Sequence, residues 1–276
     1  ILYTKNKRNG GKEMERKNML VYECVGNKAS EITLVFLHGS TMTKEGMLVL
    51  AKAFPDYNCM AFDLTAHGKS AGEEPENLDV FAEDVEYTIT QLQQQKIASE
   101  NVILLGYSMG GAITCEVALR KKIALKGIVF LGSGADLKNH TPLVDALKAM
   151  PPEQFRTADI TGNLFGLNTP KQDVEKIENM FLTTKVDDII GYGDLMASNR
   201  YNRLEECGEI QIPTLLVQGS DDKIVLPTAA VETWKKIPGS ELLMIPYKGH
   251  AAIFEDPETV KNGILAFIAQ CILLNS

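Results

Sequence analysis

Ser108 stands in the middle of Gly106-Tyr107-Ser108-Met109-Gly110, between the apolar run Val102 to Leu105 and the amphipathic stretch Gly111 to Arg120. A serine hydroxyl becomes a nucleophile when it projects alone from a sharp strand-to-helix turn and a base takes its proton. Such a turn strains the serine backbone and crowds the positions two before and two after it, which glycines at 106 and 110 relieve. The chain holds four histidines, so the search for a base is short. His250 lies in Lys248-Gly249-His250 after the apolar run Glu241 to Ile245, and Asp222 closes Gly219-Ser220-Asp221-Asp222 after the run Thr214 to Gln218. Ser108, Asp222, His250 is one of the known chain orders of a triad. In it the histidine takes the serine proton and the acid orients the histidine. Asp221, one residue off, and Asp136, after the run Gly127 to Gly132, are the rivals for the acid.

The tetrahedral intermediate of such chemistry needs donors for its oxyanion. The backbone N–H of Met109 is one, at a helix start where the dipole is positive. The other is expected from His38-Gly39-Ser40-Thr41, where Gly39 lets the chain run close to the nucleophile and the Ser40 N–H is the donor. His38 reads as a buried histidine that bonds its own loop and does not titrate. His67, within Asp63 to Ser70, reads as a loop-shaping residue, and His140 as an exposed one.

These residues must be carried to one edge of a sheet. Ile32 to Leu37, Asn58 to Phe62 and Gly127 to Gly132 are β-rich runs of the kind buried on both faces of a parallel sheet. Asn18 to Val25 alternates weakly and reads as an edge strand. Met47, Leu50, Ala51 and Phe54 share a helical face before Pro55, and Phe81, Val85, Thr88, Ile89 and Leu92 share another. From Asp136 to Glu209 no strand-like run occurs; Leu143 to Met150, Lys171 to Leu182 and Val186 to Ser198 read as helices. Thr228 to Ile237 and Pro257 to Leu274 continue the alternation, the last with Val260, Ile264, Ile268 and Ile272 every fourth residue. Strands alternating with helices imply right-handed crossovers and a mostly parallel central sheet with helices on both faces. The loops at its carboxyl edge gather ligands.

Composition narrows the partners. The 276 residues suffice for one sizeable core, and 28 basic against 36 acidic residues give a net charge of −8. No basic stripe crosses the main body, which argues against nucleic acid. The five cysteines, Cys24, Cys59, Cys115, Cys207 and Cys271, are scattered and without C-x-x-C spacing. They imply a reducing cytoplasm and no metal site. The longest apolar stretch, Gly263 to Leu274, is broken by Gln270 and falls short of a membrane span. Residues 1–17 are basic and polar and read as a disordered leader.

Leu37-His38-Gly39, Asp63 to Ser70, Gly106 to Gly111, Gly219 to Asp222 and Gly249-His250 together resemble the α/β-hydrolase superfamily, from about Asn18 onward. The resemblance implies a triad of Ser108, Asp222 and His250, oxyanion donors at Ser40 and Met109, and no metal or organic cofactor. Ala66 departs from the glycine that relatives commonly carry before the histidine. Relatives with an acid or a cysteine as nucleophile are disfavoured by the serine at 108. The expected organisation is a core of residues 18–135 and 210–276 with a helical cap at 136–209, and the expected activity is hydrolysis of small to medium carboxylic esters. A monoacylglycerol lipase, a thioesterase, a C–C bond hydrolase and a cofactor-free perhydrolase are alternatives on the same machinery. A catalytically silent ligand binder is the alternative of another class, and it would be expected to lack one of the three triad residues. Phe155, Leu164, Phe165, Met180, Phe181, Leu195 and Met196 are the cap side chains from which pocket walls would come, with neither their orientation nor the oligomeric state fixed by sequence.

Overall fold

The computed structural model describes residues 18–73, 75–138 and 142–273. The leader at 1–17 and His140 lie outside the described residues. Seven strands follow the apolar runs: β1 Tyr22–Gly26, β2 Ile32–Leu37, β3 Asn58–Phe62, β4 Asn101–Tyr107, β5 Gly127–Leu131, β6 Thr214–Gly219 and β7 Glu241–Ile245. They form one sheet in the order β1-β3-β2-β4-β5-β6-β7. Only β1, at an edge, runs antiparallel to its neighbour. β1 begins later than the alternation from Asn18 suggests. The backbone N–H groups of Asn18, Leu20 and Val21 donate to the side chains of Asp84, Thr88 and Ser70, so side chains replace the ladder there.

The helices are α1 Lys44–Ala51, α2 Leu78–Gln94, α3 Met109–Arg120, α4 Pro142–Ala149, α5 Ala158–Thr161, α6 Lys171–Thr183, α7 Asp188–Arg200, α8 Pro227–Lys236, α9 Ala252–Glu255 and α10 Pro257–Leu273. One face of the sheet packs α2, α3 and α8 through residues such as Phe81, Ile113 and Ala230. The other packs α1 and α10 through Met47, Leu50, Ile264 and Phe267. Each of the large side chains among these, fully buried, contributes about 1.5–3 kcal/mol. Phe54 lies beyond the end of α1 yet keeps its place in this core, its ring 6.1 Å from that of Phe36. α3 differs from the amphipathic expectation. It is buried from Met109 to Ala118 because α2 flanks it on one side and α7 on the other.

Between β5 and β6 the described chain is helical, with no strand element, and adds turns of 3-10 helix at Pro152–Gln154 and Glu206–Glu209. Leu147, Phe155 and Ile160 give this segment a small apolar core of its own. Burial pushes the thiols of Cys59 and Cys115 up to about 12, so both pack as neutral, small hydrophobes. No helix among the described residues is long and apolar enough to cross a membrane.

Candidate active site

Ser108 caps α3 with φ +52 and ψ −116, a strained backbone that costs on the order of 1–3 kcal/mol. Its surroundings explain the two glycines. A Cβ at Gly106 would overlap the carbonyl of Gly110, and one at Gly110 would lie 2.6 Å from the carbonyl oxygen of Leu37. The turn is fixed by hydrogen bonds from Ser108 N–H to Leu131 O (2.9 Å) and from Ser133 Oγ to Ser108 O (2.7 Å).

His250 and Asp222 reach the same edge from β7 and β6. His250 Nδ1 donates to Asp222 Oδ2 at 2.8 Å, since a carboxylate only accepts. Nε2 is therefore the basic nitrogen, and the imidazole borders the cavity that Ser108 also lines. Asp222 is buried and held on both oxygens. Oδ1 accepts N–H bonds from Ile224 (2.8 Å) and Val225 (2.9 Å), and Oδ2 accepts from Gln218 Nε2 (2.9 Å). Sequence reasoning did not single out Gln218; a lone amide at the end of an apolar strand was its only signal. Beneath the imidazole, Tyr107 donates its hydroxyl to His250 O at 3.3 Å. Burial, reinforced by Asp222 and Glu255, holds that phenol well above its usual range, so it stays a donor.

The rivals for the acid point elsewhere. Asp221 Oδ2 accepts the N–H of Leu167 at 3.3 Å, and Asp136 bonds Lys138 N and Asn202 Nδ2. The histidine loop is clasped from outside by Glu255, whose carboxylate accepts Gly249 N–H (2.8 Å), Gly166 N–H (3.1 Å) and the Thr169 hydroxyl.

A Cβ at Gly39 would lie 3.1 Å from Ser108 Cβ, so the loop after β2 runs against Ser108. The N–H groups of Ser40 and Met109 make no hydrogen bond among the described residues. His38 donates from Nδ1 to Gly39 O (2.9 Å) and accepts Leu64 N–H at Nε2 (3.1 Å). Burial, with His67 beside it, holds its pKa well below the usual imidazole range, so it stays neutral. Ala66 adopts φ +67. That left-handed conformation costs a residue with a Cβ about 1–2 kcal/mol, which gives the glycine of related loops its reason.

Two small chambers flank Ser108, of about 20 and 40 Å³, room for only a few waters. They share Ser40, Ser108, Leu195 and Ile224 as a common wall. Of the cap residues named from sequence, Leu164, Phe181 and Leu195 line the first, and Leu195 and Met196 the second. Phe155 and Phe165 are instead buried in packing clusters, and Met180 borders an outer groove. No Asp, Glu, Lys or Arg side chain lines either chamber among the described residues. A larger cavity, about 540 Å³, lies beside Ile32, Asn101 and Lys126 at the amino edge of the sheet, away from these groups. Among the described residues no cluster of three or more His, Cys, Asp or Glu is placed to hold a metal.

A helix-covered, mostly parallel sheet with a strained serine between strand and helix defines an α/β-hydrolase. The family model described as serine aminopeptidase, S33, matches residues 28–257, and the chain belongs to that family. Lipase 1 of Psychrobacter immobilis is 24% identical over 265 residues, which cover 90% of this chain and 80% of the lipase. The AB hydrolase superfamily protein YisY of Bacillus subtilis is 26% identical over 254 residues, 85% of this chain and 90% of that one. A solved structure, a lipase-esterase related protein from Clostridium acetobutylicum, superposes with a TM-score of 0.79 at 27% identity, covering 90% of this chain and 99% of its own.

Proposed function

We propose that the protein is a serine hydrolase of neutral, small to medium carboxylic esters, with Ser108 as nucleophile, His250 as base and Asp222 as the acid that orients it. Ser108 Oγ attacks the ester carbonyl while its proton passes to His250 Nε2. The oxyanion accepts the N–H groups of Ser40 and Met109, and collapse expels the alcohol, which takes the proton from His250. Water, deprotonated in turn by His250, releases the acid and restores Ser108. Residues 136–209 act as the cap over a core of 18–135 and 210–276. Cysteines without a disulfide among the described residues fit a cytoplasmic setting.

The observation that carries this reading is the pair of uncharged chambers meeting at Ser108. An aminopeptidase must hold its substrate's ammonium group, and a buried cation needs a carboxylate partner. The chambers offer none among the described residues, whereas both arms of an ester are neutral. Hydrolysis of p-nitrophenyl esters from acetate to palmitate, beside aminoacyl p-nitroanilides, tests it. Turnover is expected to favour short and medium acyl chains, without a jump at micelle formation and without measurable anilide cleavage. A maximum at palmitate, or anilides cleaved faster than esters, would overturn it.

The shared wall makes a second measurement informative. Leu195→Ala removes part of the partition between the chambers. Rates on octanoate relative to acetate are expected to rise about tenfold, since a few methylenes of extra room discriminate on that scale. An unchanged ratio would mean that the acyl chain leaves by another route.

A further inference from the structure

Asp194 sits in the middle of α7 with no solvent exposure. A carboxylate so placed needs strong partners. Its Oδ2 accepts the backbone N–H of Thr41 at 2.9 Å and lies 2.9 Å from His67 Nε2, while Oδ1 has no hydrogen-bond partner among the described residues. His67 Nδ1 faces the carbonyl of Thr65 at 2.8 Å, so that nitrogen carries a hydrogen. A second proton must then lie between His67 Nε2 and Asp194 Oδ2. The two groups form a buried hydrogen-bonded pair.

The third partner, Thr41, follows the proposed oxyanion donor Ser40. Thr41 has φ +69, a conformation that β-branched residues rarely adopt and that persists only when neighbours impose it. The neighbours come from one segment. Asp194 takes the Thr41 N–H, Val186 N–H donates to Thr41 O at 2.9 Å, Ser40 Oγ meets Ser198 Oγ at 3.3 Å, and Thr43 Oγ1 donates to Thr184 O at 2.9 Å. Gly191, one turn before Asp194, is a second sign of this contact. A Cβ there would come within 2.8 Å of Thr41 Cγ2, so the glycine lets α7 close on the loop. Holding the Ser40–Thr41 peptide and the Ser40 hydroxyl anchors Ser40 from its carboxyl side, beside the Gly39–Ser40 peptide that carries the Ser40 N–H and whose Gly39 O accepts Met42 N–H at 3.4 Å.

We propose that Asp194, clamped by His67, is a positioning residue for the oxyanion site: α7 supplies the carboxylate that aims the Ser40 N–H at the carbonyl oxygen of an ester bound at Ser108. The inference rests on the serine-hydrolase reading above. It makes the cap a working part of the transition-state site, and the wall of the pocket only in addition.

Asp194→Ala and Asp194→Asn test it, with kcat and KM on p-nitrophenyl butyrate expressed per Ser108 labelled by a fluorophosphonate. A trifluoromethyl ketone, whose adduct with Ser108 carries an oxyanion, supplies the second readout. For Asp194→Ala, kcat per labelled site is expected to fall about 100-fold, the scale of a misplaced catalytic donor, with KM little changed. Ketone affinity should weaken by a similar factor. Asp194→Asn keeps an oxygen for the Thr41 N–H and should recover part of both. A purely structural role would lower the melting temperature and the labelled fraction but leave kcat per site and ketone affinity at wild-type values. That result, or a rise in KM alone, overturns the inference. If the alanine variant does not fold, the asparagine variant decides by the same two readouts. Wild-type protein that neither turns over esters nor labels at Ser108 would be a different failure, that of the serine-hydrolase reading.

Discussion

Replacing Ser108 with alanine is expected to lower ester turnover by about a million-fold, the usual cost of removing the nucleophile from a working triad. The fold should survive the change. Ser108 Oγ makes no hydrogen bond among the described residues, and the contacts that fix the turn run through the Ser108 backbone. Alanine inherits the same φ of +52 and the same strain. Thermal melts of the purified variant should therefore lie close to those of the parent, while p-nitrophenyl butyrate hydrolysis falls to background. Residual activity above a few per cent in pure protein would remove Ser108 from the mechanism.

Asp222→Asn should depress turnover by about four orders of magnitude. The cause is visible in the bonds of the carboxylate. Oδ1 faces two backbone N–H groups, and Oδ2 faces Gln218 Nε2 as well as His250 Nδ1. An amide nitrogen at either position meets donors. Next to His250 it would favour the tautomer with hydrogen on Nε2, which cannot accept the serine proton. Each donor left unsatisfied also costs about 1–3 kcal/mol, so a lower melting temperature should accompany the lost rate. Asp221→Asn is the control. Its carboxylate bonds Leu167 N–H and Ser220 Oγ outside the imidazole's reach, and it should leave kcat within about tenfold of the parent. Asp221→Asn being the more damaging of the two would move the assignment by one residue.

The groups that local sequence makes conspicuous are those that sit at strand ends. β2 and β3 could be read residue for residue because an interior strand of a parallel sheet is a largely apolar run, ended abruptly where the chain turns, and β7, at the sheet edge, through the apolar run Leu242 to Ile245. Ser108, Asp222 and His250 each follow such a run within a few residues. α5 and α9, of four residues each, were not legible, because a single turn has no period to detect. Asp194 escaped for another reason. Its partners Thr41 and His67 stand 153 and 127 residues away, and no local pattern reports a pairing over that distance. The interior glycine Gly191, unfavourable in a helix by about 1 kcal/mol, was the one trace in the sequence that α7 approaches something closely.

The hydrogen bonds that fasten residues 40–43 to residues 184–198 bear on how this protein could have diversified. In many architectures a helical insertion is an exchangeable part, free to be replaced when a lineage meets a new substrate. Here residues 184–198 also hold the loop beside Ser108, so a wholesale exchange of that helical segment would alter the chambers and loosen the loop in the same step. Change by single substitutions along the chamber walls, at positions such as Leu195 or Met196, leaves those fastenings in place. Substitutions of that kind would reshape the chambers while leaving the contacts among Thr41, His67 and Asp194 untouched.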